Sequence, residues 1–95
     1  MPLKDTYSGQ LKPLGYQQLT SLASSSALTV PELAGRAVLQ AETQNVRWRD
    51  DGVAPTGSVG MIIAAGTDIE YNGDLSLIRF IEVAASAKLN VVYYP

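Results

Sequence analysis

Gln44-Asn45-Val46-Arg47-Trp48-Arg49-Asp50-Asp51-Gly52 holds the pattern that decides the fold. On an extended chain Val46 and Trp48 fall on one face, and Asn45, Arg47 and Arg49 on the other. Asp50-Asp51-Gly52 then ends the strand, because an Asp-Gly step accepts positive φ at low steric cost. Outward from this stretch the same unit recurs. Residues 36–42 alternate, with Ala37, Leu39 and Ala41 opposite Val38 and Gln40. A strand over 58–64 contains Gly60, which predicts a bulge or a close backbone approach. Residues 68–71 form a short alternating piece closed by Asn72-Gly73-Asp74, a strong turn signal. Residues 77–83 are nearly all apolar, which predicts burial on both faces. Residues 88–94 set Leu89, Val91 and Tyr93 against Asn90, Val92 and Tyr94. Six strands with turn signals about every ten residues predict an all-β fold, a small antiparallel β-sandwich or jelly-roll-like barrel.

The N-terminal part reads differently. Residues 1–14 have neither helical nor strand period, and are expected to form an extended N-terminal arm to a single domain over 15–95. In 15–28, Leu19, Leu22 and Ala23 stand at i, i+3 and i+4, which suggests one or two helical turns. The serines at 24–26 oppose a long helix, and a strand over 16–22 competes. Pro31 biases Val30 to an extended conformation.

Composition narrows the function. Ninety-five residues make one small domain of modest stability. Only 17% of the residues are charged, below the usual quarter or so, so assembly that covers part of the surface is expected. The net charge of −2 with scattered cations lacks the basic footprint that nucleic-acid binding needs. Cysteine and histidine are both absent. Disulfide and thiolate chemistry are thereby excluded, and with them the commonest general base and metal ligand. No apolar run approaches the ~20 residues of a membrane span. Residues 1–5 show no apolar stretch behind their charge, so no signal peptide and synthesis in the cytoplasm are expected.

Candidate chemistry is sparse. Asp50 and Asp51 offer carboxylates for calcium, but their spacing is not that of an EF-hand loop, and acid-acid-glycine is ordinary turn punctuation. Arg47 and Arg49 flank Trp48 as in aromatic-cation patches that bind sugars or nucleic acid. The acidic balance favours the plainer reading: Trp48 buried beside Phe80 or Ile78, with both arginines on the outer face pairing Asp50, Asp51 or a neighbouring chain. Glu70 and Glu82 pair only on paper, since a glycosidase needs two acids across a cleft. The glycines at 57, 60 and 66 match no phosphate-binding motif. No enzymatic activity, cofactor or metal is expected. The surface residues that point outward to partners are Leu3, Tyr7 and Leu11 of the arm, Arg47, Arg49 and the outward member of the Tyr93-Tyr94 pair, Tyr94.

The string from Gln44 through Gly52, continued by Val53-Ala54-Pro55-Thr56 and Ser58-Val59-Gly60-Met61, resembles a recurrent small virion structural protein of tailed bacteriophages. Gly73-Asp74-Leu75-Ser76-Leu77-Ile78-Arg79-Phe80-Ile81-Glu82 and Ala87-Lys88-Leu89-Asn90-Val91 carry the same resemblance, which spans 27–94. It implies a virion location after synthesis in the host cytoplasm. The role expected is a capsid decoration, or cement, protein bound to the major capsid protein or other virion proteins as a homo-oligomer, most simply a trimer, without nucleic acid or membrane. The alternative is a head-to-tail or tail component or a small adhesion module.

Overall fold

The computed structural model describes residues 11–95. Its strands are β1 (Gly15–Leu19), β2 (Ser26–Ala27), β3 (Arg36–Glu42), β4 (Val46–Arg49), β5 (Met61–Ile63), β6 (Asp68–Tyr71), β7 (Arg79–Glu82) and β8 (Lys88–Tyr94). They form two four-stranded sheets, ordered β1-β8-β3-β6 and β2-β7-β4-β5, with every pairing antiparallel. The described fold is therefore all-β, as the alternation predicts.

The core lies between the sheets and follows from the period-2 pattern. From the first sheet come Ala37, Leu39 and Ala41 of β3 with Leu89, Val91 and Tyr93 of β8; from the second come Val46, Ile63 and Phe80. Each of these large side chains contributes roughly 1.5–3 kcal/mol of burial. β3 and β8 form the spine, in register from Arg36↔Tyr94 to Glu42↔Lys88. The small Ala37 and Ala41 leave room there for Tyr93 and Leu89, their partners across the ladder.

The turns do a different job from the one their residues suggest. Only the β4-to-β5 step stays within one sheet; every other consecutive pair of strands changes sheets. Asn72-Gly73-Asp74 thus marks a crossover and not a two-residue hairpin. There Asp74 Oδ1 accepts from the Ser76 amide at 2.9 Å. Gly73 is required because a Cβ would lie 2.3 Å from the Tyr71 hydroxyl.

Several expectations are corrected. Of the two readings of 15–28 the competing strand holds, over residues 15–19, and the helical turns are corrected, because β8 supplies a partner ladder from Gly15↔Tyr93 to Leu19↔Leu89, a tertiary gain that local period cannot show. Leu22 is fully buried, and its carbonyl accepts from the Glu82 amide at 2.9 Å. Among the described residues the strands number eight and not six, since β1 and the two-residue β2 add to the expected set. The strand over 58–64 shrinks to Met61–Ile63. β7 buries one face only: Ile78 and Phe80 are fully covered, whereas the flanking Leu77 and Val83 are exposed. Of the expected arm, residues 11–14 carry no strand beyond a bond from the Leu14 amide to the Tyr93 carbonyl. Leu3 and Tyr7 lie outside the described residues.

Candidate functional site: a groove beside Trp48

One row of the second sheet runs from solvent to core. Met61, Trp48, Phe80 and Ser26 are successive cross-strand partners. Met61 is 60% exposed, Trp48 is half-buried and Phe80 is fully buried. Trp48 is therefore not a full core residue as expected. The cause is the edge: β5 is three residues long, and from the other sheet the ring of Tyr71 packs against the indole. The two rings meet edge-on, with centroids 5.7 Å apart and planes at 69°, a favoured aromatic geometry.

The result is an open groove of about 440 Å³ lined by Trp48, Arg49, Asp51, Val59, Gly60 and Met61. Its rim is held by a set of polar contacts. Arg49 grips Asp51 through two donors, Nε at 3.0 Å and Nη2 at 2.5 Å, and this hydrogen bonding draws the Asp51 carboxyl below its ordinary pKa. Arg47 is in no ion pair among the described residues. Its Nε donates to the Gly57 carbonyl at 3.2 Å and its Nη1 to the Gly60 carbonyl at 2.7 Å. These bonds fasten the 57–60 loop, which is also closed by the paired backbone bonds of Thr56 and Val59. Gly60 has φ +141, and a Cβ there would lie 3.1 Å from the Trp48 carbonyl oxygen. The close approach that the sequence predicts at Gly60 is thus present.

Beneath the rim, the Tyr71 hydroxyl donates to Asp50 Oδ2 at 2.7 Å and approaches the Asp74 carbonyl at 3.4 Å. Burial, with Asp50 beside it, pushes the Tyr71 pKa up. A phenol held in its neutral form is a poor base, so this pair acts as a latch between the sheets. Asp50 and Asp51 are thereby engaged by different partners. Among the described residues no cluster of three acidic ligands forms. Glu70 and Glu82 stand on strands of different sheets.

The sequence-predicted contact residues divide between two places. Arg49 lines the groove, and Arg47 acts on it from outside by holding the Gly57 and Gly60 carbonyls. Leu11 and Tyr94 come together instead on the outer face of the first sheet, in a depression of about 310 Å³ with Arg36, Val38 and Glu70, where Arg36 pairs with Glu70 at 3.2 Å. Sequence reasoning missed Met61 and Val59. Both sit beside Gly60, where β5 forms the edge of its sheet and no further strand covers them. No protein-family model, curated protein or solved structure matches this chain.

Proposed function

We propose that this protein is a virion structural component of a tailed bacteriophage, a capsid decoration protein that works by protein–protein docking. The observation that carries the docking reading is the Trp48–Met61 groove. It offers an apolar floor, exposed at Met61 and Val59, beside lining charges that already have partners: Arg49 and Asp51 pair with each other, and Asp50 accepts from the Tyr71 hydroxyl. A partner side chain entering it displaces water from apolar surface without stripping an unpaired charge, which is the pattern of an interface centre. The low charge content supports the same reading, and the phage assignment rests on the resemblance in 44–61 and 73–91. Homo-oligomerisation, most simply as a trimer, and contact with the major capsid protein belong to this proposal. The test is cosedimentation of the purified chain with heads that lack it. Wild type is expected to pellet with heads, and Met61→Asp, changed at an exposed position, to stay folded and remain in the supernatant. Equal pelleting of both removes the groove from the function, and no pelleting of wild type removes the capsid role.

A further inference from the structure

The outer face of the first sheet is built unlike the groove. Cross-strand register sets its side chains in rows. One row reads Tyr16, Val92, Val38 and Glu70, and the next reads Gln18, Asn90, Gln40 and Asp68, each across all four strands. Glu42 stands one step on, opposite Lys88. The strands are about 4.8 Å apart, so the second row is a ladder of amides ending in a carboxylate.

Asn90 organises this ladder. Its Oδ1 accepts from the Tyr16 hydroxyl at 2.6 Å and from Gln18 Nε2 at 2.9 Å. Its Nδ2 donates to Gln40 Oε1 at 3.2 Å and Glu42 Oε1 at 3.0 Å. A primary amide has two donors and two acceptor sites, so Asn90 is saturated and serves as a fixed hub. Gln18 Oε1, Gln40 Nε2 and the second oxygen of Glu42 have no hydrogen-bond partner among the described residues and stay available beside the Asp68 carboxylate. The Tyr16 ring, pinned by its hydroxyl, stays 62% exposed. Together these groups line a depression of about 390 Å³ floored by Val38 and Val92.

Aligned acceptors and donors beside an exposed aromatic ring suit a ligand with vicinal hydroxyls on one side and an apolar C–H face on the other. Charge narrows the class. Arg36 is paired with Glu70 and Lys88 stands opposite Glu42, which leaves Asp68 as the uncompensated charge, so the face is net negative and disfavours anions. We propose that this face binds a neutral or amino pyranose sugar. The Glu42 and Asp68 carboxylates accept from its hydroxyls, Gln40 Nε2 donates to a ring or hydroxyl oxygen, and the Tyr16 ring covers its C–H face. The hub removes the ordering cost of these long side chains before the ligand arrives.

The test is an amide chemical-shift titration of the full chain with maltose, N,N′-diacetylchitobiose and, as an anionic control, galacturonic acid. At least one of the first two is expected to shift the resonances of Gln18, Gln40, Asp68 and Asn90 saturably. Tyr16→Ala and the double variant Gln40→Ala/Asp68→Ala, all at exposed positions, are expected to weaken that binding roughly tenfold or more, with unchanged spectra elsewhere and unchanged head binding. The inference is overturned if neither sugar shifts these resonances, if the shifts map to Trp48 and Met61, or if galacturonic acid binds as tightly.

Discussion

Replacing Gly60 with alanine tests how the groove is held. The added Cβ would stand 3.1 Å from the Trp48 carbonyl oxygen and 3.2 Å from both Arg47 Cβ and Pro55 Cβ. All three are backbone or first side-chain atoms, so none can swing aside. The φ of +141 lies in a region that side chains rarely adopt, at about 1–3 kcal/mol. The crowding adds about 1 kcal/mol and loosens the carbonyls that Arg47 holds, for a total of about 2–4 kcal/mol. A chain of this length has about 5–14 kcal/mol of stability, and the loss should lower Tm by roughly 10–25 °C. Two other glycines calibrate the result. Gly52 has φ +85 with nothing within 4 Å, so Gly52→Ala should cost about 1 kcal/mol. Gly15 has open space and no positive φ, so Gly15→Ala should be neutral within about 0.5 kcal/mol. Urea unfolding followed by circular dichroism and by the fluorescence of Trp48, the chain's one tryptophan, measures all three. If Gly60→Ala costs no more than Gly52→Ala, the packing of the 57–60 loop against β4 is not what shapes the groove.

Other perturbations have expected outcomes of their own. Tyr93→Phe removes a 2.6 Å bond to Gln17 Oε1 from a ring that is 1% exposed, and should cost about 1–1.5 kcal/mol in urea unfolding; no loss would mean that this bond does not tie β1 to β8. Burial pushes the Tyr93 pKa up to about 12 and raises that of Tyr71 as well, so the folded chain holds these protons more tightly than the unfolded chain, whose tyrosines titrate near 10. Their contribution is full below about pH 10 and falls as pH rises toward 12, and the urea midpoint should decline over that window, less steeply in Tyr93→Phe. Thr43 has φ 78, a left-handed conformation that penalises a β-branched residue, so Thr43→Asn should stabilise by about 1 kcal/mol; a destabilised variant would mean that the Thr43 side chain has a role beyond the turn.

The sheets were legible where one face is core. Alternation in 36–42 and 88–94 marks β3 and β8 with the correct inward residues, because burial of Leu39, Leu89 and Val91 imposes period 2. The edges were not legible. β1 exists through its ladder with β8, some seventy residues away in sequence, and Gly15-Tyr16-Gln17-Gln18 has no apolar alternation of its own. The half-burial of Trp48 was hidden for a related reason: how much of an inward residue is covered depends on where the neighbouring strand stops. Arg47 and Arg49 were visible as outward cations. Their partners were only half visible, since Asp51 is two residues from Arg49, whereas the carbonyls that hold Arg47 belong to a loop whose path depends on Gly60. The Tyr16–Asn90 hub joins side chains 74 positions apart, beyond any local pattern.

The most direct measurement for the proposed docking role is a density map of the intact virion of the phage proposed to encode this chain. The account predicts copies on the head surface, with the groove formed by Trp48, Val59 and Met61 filled by a side chain of a neighbouring virion protein. A particle without the chain, or one in which that groove faces solvent in every copy, would contradict it.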